Sequence, residues 1–236
     1  MNGGPMLFYR ADCRHFTGEK PCAPHKSEGV VCFECPRYEP VKDRILIIKL
    51  DAAGDVLRST SILPAFKKNN ESLSIWWITE NSSKPLLDKN PFIDVLLGVD
   101  PALPGILSSV SFERAFNFDM SRKAAGILAM AQSRVKKGFG LSKEGSVVPL
   151  EKEAEEWFEM GIFDSVKRAN QRTYQDHLFQ LGGLTYGGGS APALFDGQGN
   201  RVGGPVREEK QAIPVQKDGG AQHRLRGPMA HEALAP

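Results

Sequence analysis

The chain lacks any run of about 18 consecutive apolar residues, so no membrane-spanning helix is expected. Its N-terminus, MNGGPMLFYRADCRHF, has no apolar stretch long enough for a secretory signal. It also lacks a strong charge of either sign: the net charge is +2 over 236 residues, which gives no electrostatic case for a nucleic-acid partner. Two phosphate-binding signatures are missing. There is no G-x-G-x-x-G of a dinucleotide site and no G-K-[ST] of a P-loop, which weakens an oxidoreductase or nucleotide-binding reading. What remains is a cytoplasmic globular chain, 41% hydrophobic and 25% charged, long enough for one large domain or two small ones.

Composition divides the chain into three parts. Residues 1–43 hold all four cysteines and little periodic apolar pattern. Residues 44–186 alternate strand-like and helix-like patterns. Residues 187–236 contain ten Gly, five Pro and one aromatic, Phe195, with only eight Leu, Ile, Val and Phe. Such a stretch buries too little apolar surface to offset its ordering entropy, so disorder is expected there.

In the middle part, Arg44-Ile-Leu-Ile-Ile-Lys-Leu50 reads as a buried parallel strand. Asp51 to Gly54 is a turn, and a helix begins near Asp55 and is interrupted or kinked at Pro64. Strands are expected at 73–78, 95–99 and 114–118, with weaker ones at 135–141 and 147–150. Helices are expected at 82–89, 122–131, 151–160 and 174–181, the first with Pro85 in its opening turn. Alternating strands and helices imply an α/β fold with a mostly parallel sheet covered on both faces. Ligands sit beyond the carboxyl ends of such strands, which puts Asp51 to Asp55 at the edge of a site.

The motif there is Lys49-Leu-Asp-Ala-Ala-Gly-Asp-Val56. Gly54 allows a tight turn and close approach of a ligand, with Ala53 beside it as a further contact candidate. Asp55 suits two roles: a helix cap that complements the dipole, or a carboxylate held at the mouth of the sheet.

The stretch RILIIKLDAAGDVLRSTSILPAFKKNNESLSIWWITENSSKPLLDKNPFIDVLL resembles the opening of glycosyltransferase family 9, the heptosyltransferases of lipopolysaccharide synthesis. Lys49, Gly54, Asp55, Val56, Leu63, Pro64, Trp77, Asn90, Pro91 and Asp94 carry the resemblance. It continues loosely through Phe116-Asn-Phe-Asp119 with Arg122, Lys137-Gly-Phe-Gly140, and Thr173 to Leu184. The match covers about 140 of 236 residues.

This resemblance implies a Rossmann-like sheet forming the acceptor-side half of a two-domain GT-B architecture. It implies inverting, metal-independent transfer from a nucleotide-sugar donor, ADP-heptose-like, bound by a second domain. The acceptor would be a glycan or lipid-linked glycan, met at the cytoplasmic face of the inner membrane through peripheral contact. Asp55 would be the general base for the acceptor hydroxyl, and positioning would supply most of its effect. Lys49 and Arg58 would contact an anionic acceptor or form a solvated face. Ser59 and Thr60 would bond sugar or phosphate, or the preceding helical turn. Asp119 and Arg122 suit an ordinary ion pair. A binding module without catalysis, carrying a zinc ion, is the alternative function.

Cys13, Cys22, Cys32 and Cys35 form C-x8-C-x9-C-x2-C. Four thiolates in a short segment suit a structural zinc site, with His25 as a substitute ligand, and an iron–sulfur cluster is the alternative. A redox pair fits less well, because Pro36 follows the C-x-x-C. The segment resembles Cys-rich extensions on some members of the family.

The last residues admit a reading-frame explanation. Moved forward by one base, the codons of Met229 to Pro236 force Met-Ala into Trp and Glu-Ala into Lys or Arg, and permit W-P-[MT]-[KR]-R-W-P. Gln222 to Pro228 permit N-T-G-C-G-A-Q, which resembles the Gly-rich turn that opens the family's donor domain. A frameshift near Tyr186 is therefore expected, with the donor half missing from the chain as written.

Overall fold

The computed structural model describes residues 9–68, 70–187, 194–195 and 201–202. The N-terminal part contains one short helix, α1 (Ala23–Glu28), and a 3-10 turn at Cys32–Glu34. The central strand β1 (Asp43–Ile48) then leads into α2 (Ala53–Ser59), a 3-10 turn (Thr60–Ile62) and α3 (Leu63–Lys67). Pro64 stands in the first turn of α3, where its missing N–H costs no helical bond. Next come β2 (Leu73–Thr79), α4 (Lys84–Leu87), β3 (Val95–Gly98), α5 (Leu103–Ser109), β4 (Ser111–Asn117) and α6 (Arg122–Met130). The chain continues through β5 (Gln132–Leu141), β6 (Val147–Pro149), α7 (Lys152–Ile162), α8 (Asp164–Ala169) and α9 (Tyr174–Leu181).

The six strands form one sheet in the order β3-β2-β1-β4-β5-β6. All neighbours are parallel except β5 and β6. The strand order grows outward from β1 in one direction and then reverses to its other side. This is a Rossmann-like α/β sheet, and its switch point lies between the loops that follow β1 and β4.

The apolar run of β1 is explained by its central place. Ile45 and Ile47 pack on one face with Val56, Phe66, Trp157 and Leu178; Leu46 and Ile48 pack on the other with Leu103, Leu107, Ala124 and Leu128. A strand's period of two thus feeds two helical layers. Each of these four fully buried side chains contributes about 1.5–3 kcal/mol relative to exposure.

Helix ends follow their local chemistry. Ser121 caps α6 by accepting from the Ala124 N–H at 3.2 Å. Thr173 and Asp176 form a reciprocal capping box at α9. Two helices depart from the sequence expectation. α5 has Pro104, Gly105 and two serines, yet Leu103 and Leu107, four apart, are buried and anchor it. α8 has no buried residue, so it leaves no apolar periodicity to read.

The Cys-rich part is attached at the amino end of the sheet. Arg14 pairs with Asp94 and donates to the carbonyls of Glu71 at 2.6 Å and Leu73 at 3.1 Å. In the tail expected to be disordered, Leu194–Phe195 and Arg201–Val202 pair antiparallel. The rest of that expectation, and of the frameshift, lies outside the described residues.

Candidate functional site

The loops after β1 and β4 bring three charged groups together at the switch point. Lys49 extends β1 by one residue and its side chain is buried. Its Nζ lies 3.5 Å from Asp119 Oδ2 and 3.9 Å from Asp55 Oδ2. Asp119, two residues past β4, is also buried. Its Oδ2 accepts from the backbone N–H groups of Leu50 and Asp51, each at 3.2 Å, and its Oδ1 accepts from Ser121 at 2.9 Å. Burial alone would raise the Asp119 carboxyl. The Lys49 ammonium and the N–H groups of Ser121 and Asp51 outweigh it and hold the carboxyl below the usual range. Asp119 is thus the partner of Lys49 and not of Arg122; among the described residues no ion pair joins Asp119 to Arg122.

Asp55 differs from Asp119 in exposure. α2 begins at Ala53 with Ala52 as its N-cap, so Asp55 is the third residue of the helix and not its cap. There it still complements the helix dipole. Its side chain is 35% exposed and pairs with Arg58 one turn on. Arg58 is more exposed, and its guanidinium carbon lies 4.3 Å from the centre of the Tyr174 ring. Before Asp55, residues 51–54 all face solvent. A Cβ at Gly54 would meet nothing within 4 Å, so the turn presents bare backbone to open space.

The remaining expected residues separate clearly. Ala53 and Gly54 lie at the open mouth. Lys49 lies beneath it as a buried counter-ion, not on a solvated face. Ser59 and Thr60 are buried and point inward: Ser59 Oγ donates to the Asp55 carbonyl at 2.7 Å, and Thr60 Oγ1 to that of Leu57 at 2.8 Å. Of their two expected roles, bonding to the preceding turn is the one seen.

One residue of the site, Tyr174, had no assignment from sequence, and another, Asp119, was expected to pair with Arg122. Tyr174 of α9 meets Ser59 Oγ with its hydroxyl at 2.7 Å, and burial raises its phenol above the ordinary value. Asp119 was legible as a position, at the end of a strand, but its partner was not.

The four thiols, Cys13, Cys22, Cys32 and Cys35, are free and partly buried. Among the described residues, no group of three or more His, Cys, Asp or Glu side chains is arranged to hold a metal ion. His25 bonds the Val30 carbonyl through Nδ1 at 2.9 Å. Among the described residues, no helix is long and apolar enough to cross a membrane.

The chain matches no family model and no curated protein. Among solved structures, it is similar to E. coli heptosyltransferase WaaC with ADP-2-deoxy-2-fluoro heptose, at 14% identity over 64% of this chain and 52% of that one, TM-score 0.42. The same enzyme with ADP aligns at 16% identity over 40% of this chain and 34% of that one, TM-score 0.37. A glycosyltransferase of family 9 from Veillonella parvula DSM 2008 aligns at 19% identity over 42% of this chain and 32% of that one, TM-score 0.38. The chain thus spans from about a third to about half of the length of these structures. At such distance the likeness carries no argument about this chain.

Proposed function

We propose that the chain is the acceptor-side half of an inverting glycosyltransferase of the heptosyltransferase type, with Asp55 as general base. The observation that carries this reading is the position of Asp55. It is a carboxylate at the switch point of a parallel sheet, fixed in the first turn of a helix, with one side open to solvent. A sugar hydroxyl is a poor nucleophile at neutral pH, and a positioned base removes its proton as it attacks the anomeric carbon. The bare turn before Asp55 leaves room for an acceptor ring, and Arg58 is the exposed cation beside it for an acidic group on the acceptor. Lys49 and Asp119 support the site from beneath. The donor, a nucleotide sugar resembling ADP-heptose, would be bound by a second domain. In this reading that domain is encoded in another frame beyond Tyr186, and the DNA sequence across codons 180 to 236 tests that part.

The catalytic assignment is tested in the product of the restored reading frame, which carries the donor domain, by sugar transfer to an acidic glycan acceptor, together with calorimetric binding of that acceptor. Asp55→Ala should lower transfer by about 10²–10⁴-fold while acceptor binding and unfolding midpoint change little. Transfer that survives the substitution sinks the assignment.

A further inference from the structure

Around Asp55 the two cations are held in different ways. Lys49 is buried and fixed by Asp119. Arg58 stands on the surface with its side chain 45% exposed, where a long side chain ordinarily samples many rotamers. Yet its guanidinium carbon lies over one feature of the fold, the ring of Tyr174, 4.3 Å from its centre, while it pairs with Asp55. We infer that Tyr174 is a positioning residue that holds Arg58 beside Asp55 through its ring face. The inference rests on the reading of Asp55 as the base.

The ring is itself immobilised from three sides. It is the first residue of α9, directly after Thr173, whose capping box with Asp176 fixes the start of the helix. Trp157 of α7 meets it edge-on, with ring centres 5.2 Å apart and planes at 83°. Its hydroxyl is tied to Ser59 Oγ at 2.7 Å. A guanidinium over such a face is attracted by the ring quadrupole, and the planar fork of arginine suits stacking in a way that lysine's ammonium does not. The platform comes from the last helix of the domain and the cation from the first. The closing of the sheet by α7 and α9 is therefore what sets the geometry around Asp55. A residue 119 positions away in sequence does this without touching Asp55 by any hydrogen bond described here.

The test is the NMR spectrum of the Arg58 side chain in the full chain. In the wild type its δ-methylene protons should be shifted upfield by the Tyr174 ring current, and its Nε–H should exchange slowly. Tyr174→Phe keeps the ring and should keep both signatures, and Ser59→Ala, which removes the phenol's partner and the Ser59 bond to the Asp55 carbonyl but not the ring, should do the same. Tyr174→Leu should abolish both. Unshifted Arg58 signals in the wild type overturn the inference, even if Tyr174→Leu does not fold. Loss of the signatures already in Tyr174→Phe overturns it too, because the hydroxyl and not the ring would then be the holding group. Transfer that survives Asp55→Ala removes the base assignment but leaves the Arg58 signature standing, so the two failures are distinct.

Discussion

Replacing Lys49 by Met removes the buried cation and leaves the Asp119 carboxylate in place. At 3.5 Å and an effective dielectric constant of about 20, the pair attracts by about 5 kcal/mol before the cost of desolvation. Removing one partner of a buried pair costs about 3–5 kcal/mol. Asp119 keeps three backbone N–H donors, from Leu50, Asp51 and Ser121, so the lower end applies, about 3 kcal/mol at pH 7. At a urea m-value of about 2 kcal/mol/M, this moves the midpoint by about 1.5 M. The sign with pH follows from Asp119. In the wild type its carboxyl lies below the usual value, so its stabilisation is present above about pH 4 and is lost as pH falls through the folded value. In the variant, burial acts without the cation, and a proton on Asp119 relieves the unpaired charge. The gap between the two proteins should therefore narrow on acidification, with a limiting slope of about 1.4 kcal/mol per pH unit. Urea titration followed by tryptophan fluorescence measures it. A gap below about 1 kcal/mol at pH 7, or one that stays constant down to pH 4.5, refutes the account of the pair.

Gly138 has φ +93°, and a Cβ there would stand 2.0 Å from the Asn117 carbonyl oxygen. Gly138→Ala should cost about 3 kcal/mol in the same titration. His177 is buried beside Trp157, and neither ring nitrogen has a hydrogen-bond partner among the described residues. Burial first, and then Arg172, lower its basicity against the opposing pull of Glu156 and Asp176. The unfolded chain therefore takes up the proton first, so stability should fall as pH drops below about 6.5, by at most about 1.4 kcal/mol per unit. His177→Phe should flatten that slope at no cost near pH 7. Arg14→Ala should leave Asp94 and two carbonyls short of a donor, cost about 2 kcal/mol, and make residues 9–42 the first segment cut in limited proteolysis.

Much of the sheet was legible because burial on both faces leaves a plain mark. Ile45 to Ile48 and Leu73 to Ile78 read as strands from composition alone, and Pro85 marked a helix start; Pro64, read as an interruption or kink, stands in the first turn of α3. α5 and α8 were not legible: one is held by two leucines among poor helix formers, the other by none. Asp55 was legible as a carboxylate after a strand, but its place relative to the helix cap was not, because Ala52 has no capping side chain to announce it. Lys49 is the sharper case. A lysine after an apolar strand reads as the strand's exit into solvent. Only the return of β4 beside β1, 70 residues later, encloses it with Asp119. Local pattern carries no trace of such a partner. The cysteine spacing, by contrast, was plain in the sequence, and the described fold does not gather it into a metal set.

The choice of Asp55 over other carboxylates rests on what each has left to give. Asp94 belongs to the Asn-Pro-x-Ile-Asp turn that is part of the family resemblance, yet its oxygens are taken by the Ile75 N–H at 2.7 Å, by Lys67 at 2.8 Å and by Arg14. It lies at the amino end of the sheet, where it joins the Cys-rich part to β2 and β3. Asp119 lies at the carboxyl end, but three backbone donors and Lys49 consume it. A general base needs an accepting lone pair within reach of the proton it removes. Of the three, Asp55 alone combines the carboxyl end of the sheet with a solvent-facing side, and its partner Arg58 is exposed, so it can turn toward a substrate without unpairing a buried charge. In the proposed reading, Asp94 and Asp119 hold the domain together while Asp55 is kept for chemistry, and the difference lies in their remaining hydrogen-bond capacity.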